Sequence, residues 1–443
     1  MVLTESTLRW PKNITSTGGI EEAKTMREIF SGTLIPVLLC LSLVVMPAAA
    51  DADSFAQAYE DTLTVYGNAN LDDIIDENDI EYVRGIIDGT EDGTQFADAN
   101  YDGQIDEDDV TQIELIIAGE EDELTILDMD NRTVTVPMPV ERIVSAAGYD
   151  ATRTLIQLGA KDKIVGCSYP TSWSPIWYAA PELEALPDPG FAWSKSGSFN
   201  VEEAISLEPD VIFAMGSFAG CTSVAGEIQE KSQVPTIAVA GSREGLWVVD
   251  MLRIVGAVTG NGEKARDLIT YTKEKVDEIT KITSKISDED KPVVYSCGGG
   301  GKAFVCECLP SRSYIEFAGG LNAIETTGCV QVSKEQIIKW NPDVILIHLG
   351  TPEKIEEVLS DPVLQNVNAV KNERVYSIRV GSAGSGLLGQ RLVNVYYLAK
   401  IFHPDEFEDL GVEEEGNEIM EYLYGVDGIY TDMAEEYYLH RWD

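Results

Sequence analysis

A chain of 443 residues is too long for one compact core, so two or three folding units are expected. Its 76 acidic residues against 32 basic ones leave a formal charge of -44. A field of that sign repels nucleic-acid phosphates and anionic lipid headgroups while favouring cations, which excludes nucleic acid as a partner.

The first fifty residues have the grammar of an export signal. Arg27 precedes an apolar run over residues 34 to 46, and Ala48-Ala49-Ala50 stand before Asp51. Met26 opens this grammar cleanly, so residues 1 to 25 are read as an over-extended start. An uncleaved anchor is the rival reading, because the apolar run is near the short end for a membrane span. Bulky Leu39 argues against lipid attachment at Cys40. The chain from Asp51 onward is expected outside the cytoplasm, at the cell surface or in a periplasm-like space, either released by signal cleavage or held by the anchor.

Residues 51 to 122 carry 23 acidic side chains and a single basic one, Arg84. Inside this stretch residues 68 to 79 repeat as residues 98 to 109, each leading into a segment with apolar residues at helical spacing that ends near Gly89 or Gly119. A twelve-residue calcium loop draws oxygens from positions 1, 3, 5, 7 through its backbone, 9 and 12. The second repeat places Asp98, Asn100, Asp102, Gln104, Asp106 and Asp109 there, with Gly103 at the sharp turn. The first places Asn68, Asn70, Asp72, Ile74, Asp76 and Asp79 there, and is expected to bind more weakly, because Asn68 replaces a charged ligand and Asp73 the turn glycine. The alternative is a pair of acidic, solvated loops with no metal. Residues 67 to 119 resemble a dockerin module. The resemblance implies calcium as cofactor and a cohesin-like partner contacted through Glu77, Asn78, Glu107 and Asp108.

From residue 124 apolar runs of strand length alternate with helical stretches, which predicts parallel sheets with crossover helices. A second repeat joins Asn200-Val-Glu-Glu203 through Pro209-Asp-Val-Ile212 to Ser333-Lys-Glu-Gln336 through Pro342-Asp-Val-Ile345. Each copy predicts a helix opened by a capping box, ended by proline and succeeded by a strand buried on both faces. Residues 263 to 286 keep Ala265, Leu268, Ile269, Val276, Ile279, Ile282 and Ile286 on one side, predicting a single linking helix. The expected class is α/β: two similar α/β lobes over 124–260 and 291–443, joined by a long helix within 261–290 and preceded by a small all-α calcium module over 51–122.

The hairpin Asp128 to Pro137 leading to Glu141-Arg-Ile-Val144, the paired Pro-Asp-Val-Ile strands, Val258-Thr-Gly-Asn-Gly-Glu-Lys-Ala265 and Ala318-Gly-Gly-Leu-Asn322 carry a further resemblance. It is to the substrate-binding proteins of iron-siderophore and vitamin B12 importers. This implies a helix-linked two-lobe fold, a ferric chelate or corrinoid as the transported ligand, and an ABC permease with its ATPase as partner. It also implies one acidic docking residue early in a helix of each lobe, for which Glu227 in the first lobe and Glu353, Glu356 and Glu357 in the second are the candidates.

In open α/β sheets, ligands bind beyond the carboxyl ends of the strands. The loops there hold Tyr149, Tyr169, Trp173, Trp177, Trp193, Phe218, Arg243, Phe304, Arg312 and Arg379. Aromatic planes with a few cations suit a large, partly anionic metal complex, although many of these rings are also expected in ordinary packing. Cys167, Cys221 and Cys297 each come just after an expected strand, and Cys306, Cys308 and Cys329 lie nearby. Three disulfides are the simplest reading outside the cell; thiolates holding a soft metal are the other, though without a C-x-x-C pair. No H-E-x-x-H is present, and Gly298-Gly-Gly-Gly301-Lys302 lacks the spacing of a phosphate loop, so no enzyme is expected. Two other readings compete: a calcium-dependent surface-assembly protein and a cysteine-ligated metal-binding protein.

Overall fold

Both acidic repeats fold as a loop leading into a helix, α1 (Glu77–Ile87) and α2 (Glu107–Ala118). The computed structural model describes residues 62–168, 179–193, 198–217, 222–239, 249–298, 313–324, 331–348, 350–378 and 388–436, all within one unit running from Ala48 to Asp443. Asp76 and Asp106 cap the two helices, and Asp79 and Asp109 return the bond to the cap backbone, so both capping boxes are complete. Between the helices lies a small core of Ala69, Ile80, Val83, Ala97, Ala99, Val110 and Ile113. So few side chains give little stability alone.

The chain ahead of the first loop supplies more support. Val65 pairs antiparallel with Ile126, the Tyr66 amide donates to the Thr125 carbonyl at 2.9 Å, and the Leu127 amide donates to the Thr64 carbonyl at 2.8 Å. This short segment extends the hairpin of β1 (Glu123–Leu127) and β2 (Thr133–Pro137). Leu63 and Val65 are buried in the same apolar cluster as Leu124 and Ile126.

The first lobe is made of β3 (Ile143–Ser145), α3 (Tyr149–Gln157), β4 (Ile164–Cys167), α4 (Val201–Ser206), β5 (Val211–Met215), α5 (Ala225–Ser232), β6 (Thr236–Val239) and α6 (Val249–Val258). Its sheet runs β4-β3-β5-β6, all parallel. Continuous apolar strands are what a sheet covered on both faces requires, and every residue of β5 is buried. The turn of the β1–β2 hairpin closes the free edge of β6. Buried Asp128 accepts from the Ala238 amide at 3.0 Å and from Arg132 Nε at 3.0 Å and Nη2 at 2.6 Å, while the Met129 amide donates to the Ala238 carbonyl.

The 22-residue helix α7 (Gly262–Thr283) joins the lobes over about 33 Å. It ends sooner than its apolar pattern predicts: Ile282 is exposed and Ile286 lies past the end, where the Lys285 and Ile286 amides donate to the Ile282 and Thr283 carbonyls in tighter turns, and the Thr283 hydroxyl donates to the Phe317 carbonyl at 2.7 Å. One apolar cluster includes Ile143 and Phe213 of the first lobe, Leu268 and Val276 of α7, and Val344 and Leu346 of the second lobe. A continuous core of this kind makes the link stiff.

The second lobe comprises β7 (Val293–Cys297), α8 (Ser313–Phe317), β8 (Leu321–Asn322), α9 (Lys334–Trp340), β9 (Val344–His348), α10 (Pro352–Leu359), α11 (Asn368–Lys371) and β10 (Val375–Ile378), then α12 (Leu388–Phe402), α13 (Val412–Tyr424) and α14 (Ile429–Glu436). Its sheet runs β10-β9-β7-β8, again all parallel. Counted by position within the lobe, both sheets have the order 2-1-3-4. The repeated segments become α4–β5 and α9–β9, occupying the same place in each sheet. Their helix starts differ from expectation in one respect. Asn200 and Ser333 accept the amides of Glu203 and Gln336, but neither Glu203 nor Gln336 closes a box to the cap backbone. Before each proline a left-handed residue, Glu208 at φ 49 or Asn341 at φ 47, turns the chain out of the helix.

Candidate functional site

In both sheets the order reverses between the first and third strands of the lobe, and the crevice at that reversal is where this architecture receives ligands. In the first lobe the reversal lies between β3 and β5, and residues 191 to 193 are threaded into it. The Ala192 amide donates to the Ala146 carbonyl at 2.8 Å, and the Met215 amide donates to the Ala192 carbonyl at 2.8 Å. This fixes Phe191 and Trp193 on either side of Ala192, their half-buried rings parallel within 2° and 5.9 Å apart. Gly148 precedes α3 with φ 68, and a Cβ there would stand 3.0 Å from the Phe191 ring, so only glycine lets the ring close over the helix start. Phe191 stands at this crevice, and sequence reasoning missed it. Its only signal was its place two residues before Trp193 in a Pro-Gly loop.

In the second lobe the corresponding reversal lies between β7 and β9. Gly298 leaves β7 at φ 101, where a Cβ would meet the His348 carbonyl oxygen at 3.1 Å. Gly350 lies against Ser377, whose hydroxyl donates to the Gly350 carbonyl at 3.1 Å. The glycines thus draw the ends of β7, β9 and β10 close together. Buried His348 closes β9.

Of the aromatic and basic candidates, Trp193 takes its place at the first crevice. Tyr149 opens α3 there, its side chain outside the described residues. Tyr169, Trp173, Trp177, Phe218, Arg243, Phe304, Arg312 and Arg379 also lie outside the described residues. Cys221, Cys306, Cys308 and Cys329 do too, while Cys167 and Cys297 are buried at the ends of β4 and β7. Cys167 is the last residue of β4. It is a free thiol whose Sγ lies 3.8 Å from the Leu183 carbonyl, and burial, with a contribution from Asp188, pushes it up to about 12.

Glu227 is exposed in the first turn of α5, the helix after β5, and Glu353, Glu356 and Glu357 are exposed on α10, the helix after β9. The Thr351 hydroxyl that caps α10 holds the Glu353 carboxyl below its ordinary range.

The acidic loops share one hydrogen-bond pattern at a 30-residue offset. Asn70 and Asn100 accept from the amides of Asp72 and Asp102, Asp72 and Asp102 from those of Ile74 and Gln104, and Asp79 and Asp109 from those of Asn70 and Asn100. The sixth position differs. Gly103 takes φ 92, whereas Asp73 turns its carboxylate to Arg253 of α6. Among the described residues no three His, Cys, Asp or Glu side chains are grouped to hold a metal ion by themselves, so any cation would also need amide and main-chain oxygens. Two features fit such a cation. The Asn68 side-chain oxygen is buried without a partner, and Asp79 and Asp109 are completely buried, with burial first and then Asp72 or Asp98 raising their carboxyls.

A family model described as "Periplasmic binding protein" matches residues 144–380, from β3 past β10. An uncharacterized ABC transporter substrate-binding lipoprotein of Bacillus subtilis, YvrC, is 28% identical over 301 residues, covering 65% of this chain and 87% of that protein. The molybdate-binding protein MolA of Haemophilus influenzae is 24% identical over 330 residues, covering 68% of this chain and 90% of its own length. Among solved structures, an ABC transporter solute binding protein from Sulfurospirillum deleyianum superposes with a TM-score of 0.58 at 20% identity, covering 71% of this chain and 99% of that one. With the family model spanning more than half of the sequence and both parallel sheets, the chain belongs to the periplasmic binding protein family.

Proposed function

We propose that this protein captures an iron complex of siderophore type, or a corrinoid, outside the cytoplasm and hands it to an ABC permease and its ATPase. The observation that carries the ligand class is the parallel Phe191–Trp193 pair at the first strand-order reversal, beside the glycine that opens α3. Two stacked apolar planes next to the amides of a helix start suit a large, partly anionic complex with flat faces. Glu227 and Glu353, with Glu356, are the docking acids in this reading.

A second reading, a metal oxyanion, is favoured by the similarity to MolA, whose name records molybdate. Titration of the chain from Asp51 onward with a ferric hydroxamate, cobalamin and molybdate, read by tryptophan emission and calorimetry, separates the two. Saturable binding of the ferric complex or cobalamin with a micromolar or tighter Kd is expected. Binding of molybdate alone would transfer the assignment to oxyanions, and binding of none of the three would sink it.

The acidic module is assigned calcium. A completely buried carboxylate beside a second carboxylate is costly without a cation, and Asp79 and Asp109 each sit in a ring of backbone amides that a bound calcium would complete. The ligands in this reading are Asn68, Asn70, Asp72, Ile74, Asp76 and Asp79 in the first loop, and Asp98, Asn100, Asp102, Gln104, Asp106 and Asp109 in the second. Glu77, Asn78, Glu107 and Asp108 are exposed and form the face offered to a cohesin-like partner.

A further inference from the structure

The loop in which aspartate replaces the turn glycine is also where the acidic module grips the solute-binding lobe. Asp73 stands between Asp72 and Ile74, two of the residues assigned to calcium. Its carboxylate receives both arms of Arg253, Nε at 2.7 Å and Nη2 at 2.9 Å, while Arg253 Nη1 reaches Asp250 at 3.0 Å. The Arg253 side chain is 3% exposed. A forked pair whose guanidinium is out of solvent, with the Asp73 side chain 35% exposed, holds geometry more firmly than an exposed pair such as Arg84–Glu114 at 3.8 Å. One residue beyond Ile74, Ile75 packs against both the module's own core and the main core of the lobes. The main-chain bridge from Val65 to Ile126 completes the attachment.

Residues 72 to 75 are therefore held by the lobe on one side and by the assigned ion on the other. We infer that the first loop is a calcium-sensitive joint: calcium bound there raises the stability of the solute-binding lobe, and the docked lobe raises the affinity of that loop for calcium. Both effects arise from one coupling free energy and must have the same size. This rests on the calcium reading above. It also gives a role to Asp73, the residue that makes the first loop look deficient as an isolated motif.

Tryptophan emission separates the two halves, because from residue 51 onward the first tryptophan is Trp173 and none lies in the module. The experiment melts the chain from Asp51 onward with and without calcium, monitoring that emission, and measures calcium uptake on the same samples by calorimetry. The comparison variant is the double substitution Asp73→Asn with Arg253→Met. It removes the joint at unchanged net charge, leaves every assigned calcium ligand in place and strands no full charge in the interior. At calcium a hundredfold above its Kd, the wild-type transition is expected to rise by about 3–4 °C. In the double variant the rise falls below half of that, while uptake at the second loop persists. Calcium uptake without any shift of the tryptophan transition, or an equal shift in the double variant, overturns the joint and leaves the calcium reading standing. Absence of uptake by the wild type overturns both.

Discussion

Asp128 offers the sharpest test of how the hairpin is fixed to the first lobe. The residue is 3% exposed, and its carboxylate accepts from the amides of Asp130, Arg132 and Ala238 and from two nitrogens of the Arg132 guanidinium. Replacement by alanine strands the buried Ala238 amide, at about 1–3 kcal/mol. It also breaks a charge pair whose arginine is 28% exposed and so regains some hydration, which places this part at or below the low end of about 3–5 kcal/mol for buried pairs. The two effects overlap, so a net loss of about 3 kcal/mol is expected. For a unit running from Ala48 to Asp443 that lowers Tm by roughly 3–4 °C. Asparagine should rescue little, since its amide nitrogen would face donors where the carboxylate accepts. Urea unfolding monitored by tryptophan emission measures the loss, with an unchanged slope as the sign that only stability moved. A loss under about 1 kcal/mol in Asp128→Ala would refute the view that this carboxylate closes the β6 edge.

Lys275 on α7 faces Glu415 at 3.1 Å, Glu418 at 3.5 Å and Glu278 at 3.7 Å, with its side chain 10% exposed. Burial pulls its ammonium down, but Glu415 with Glu278 and Glu418 outweighs burial and holds it above the ordinary 10.5. Its contribution is complete below pH 10.5 and is lost as pH rises through the raised folded value; Lys275→Met should cost about 3 kcal/mol at pH 7 and remove that part of the alkaline decline in a pH series of urea melts. With its thiol pushed up to about 12, Cys167 should resist iodoacetamide at pH 8 until the protein unfolds, and labelling in the native state, read by peptide mass, would contradict its burial. Charge reversal at Glu227 and Glu353 together should leave solute affinity within about twofold, because both side chains are exposed, but reduce stimulation of the cognate ATPase by at least about tenfold. Unchanged stimulation would remove them from the docking surface.

The architecture was legible because it is written in repeated local signals. Pro209-Asp-Val-Ile212 and Pro342-Asp-Val-Ile345 end helices and begin strands by the same backbone physics, and both became the third strand of a 2-1-3-4 sheet. The side of α7 that faces the core could be read from its spacing, but its end could not. At its end the backbone tightens to bonds from Lys285 to Ile282 and from Ile286 to Thr283, a change that the apolar spacing does not mark. The crevice was less legible for the same reason. Trp193 stood out as a tryptophan, while Phe191 acquires its place only when Ala192 bonds to Ala146 and Met215 across the sheet. Asp73 is the clearest case of a residue whose role a motif cannot show: within the loop it is a poor glycine, and within the fold it is the partner of Arg253.

The repeats and the departures from them divide the labour of the molecule. Where the lobes match, at α4–β5 and α9–β9, the shared sequence builds the sheet and its strand-order reversal. Where they diverge, just beyond those strands, the lobes acquire different surfaces. Thr351 caps α10 and Pro352 begins it four residues past the end of β9, so Glu353 enters almost at once in the first turn. After β5, α5 begins only at Ala225, whose amide donates to the Ser223 hydroxyl at 3.1 Å, and Glu227 enters later in the first turn of that helix. The same logic holds in the acidic module. Its matching positions keep the loop hydrogen bonds, and the one turn position where glycine is lost ties the module to the lobe.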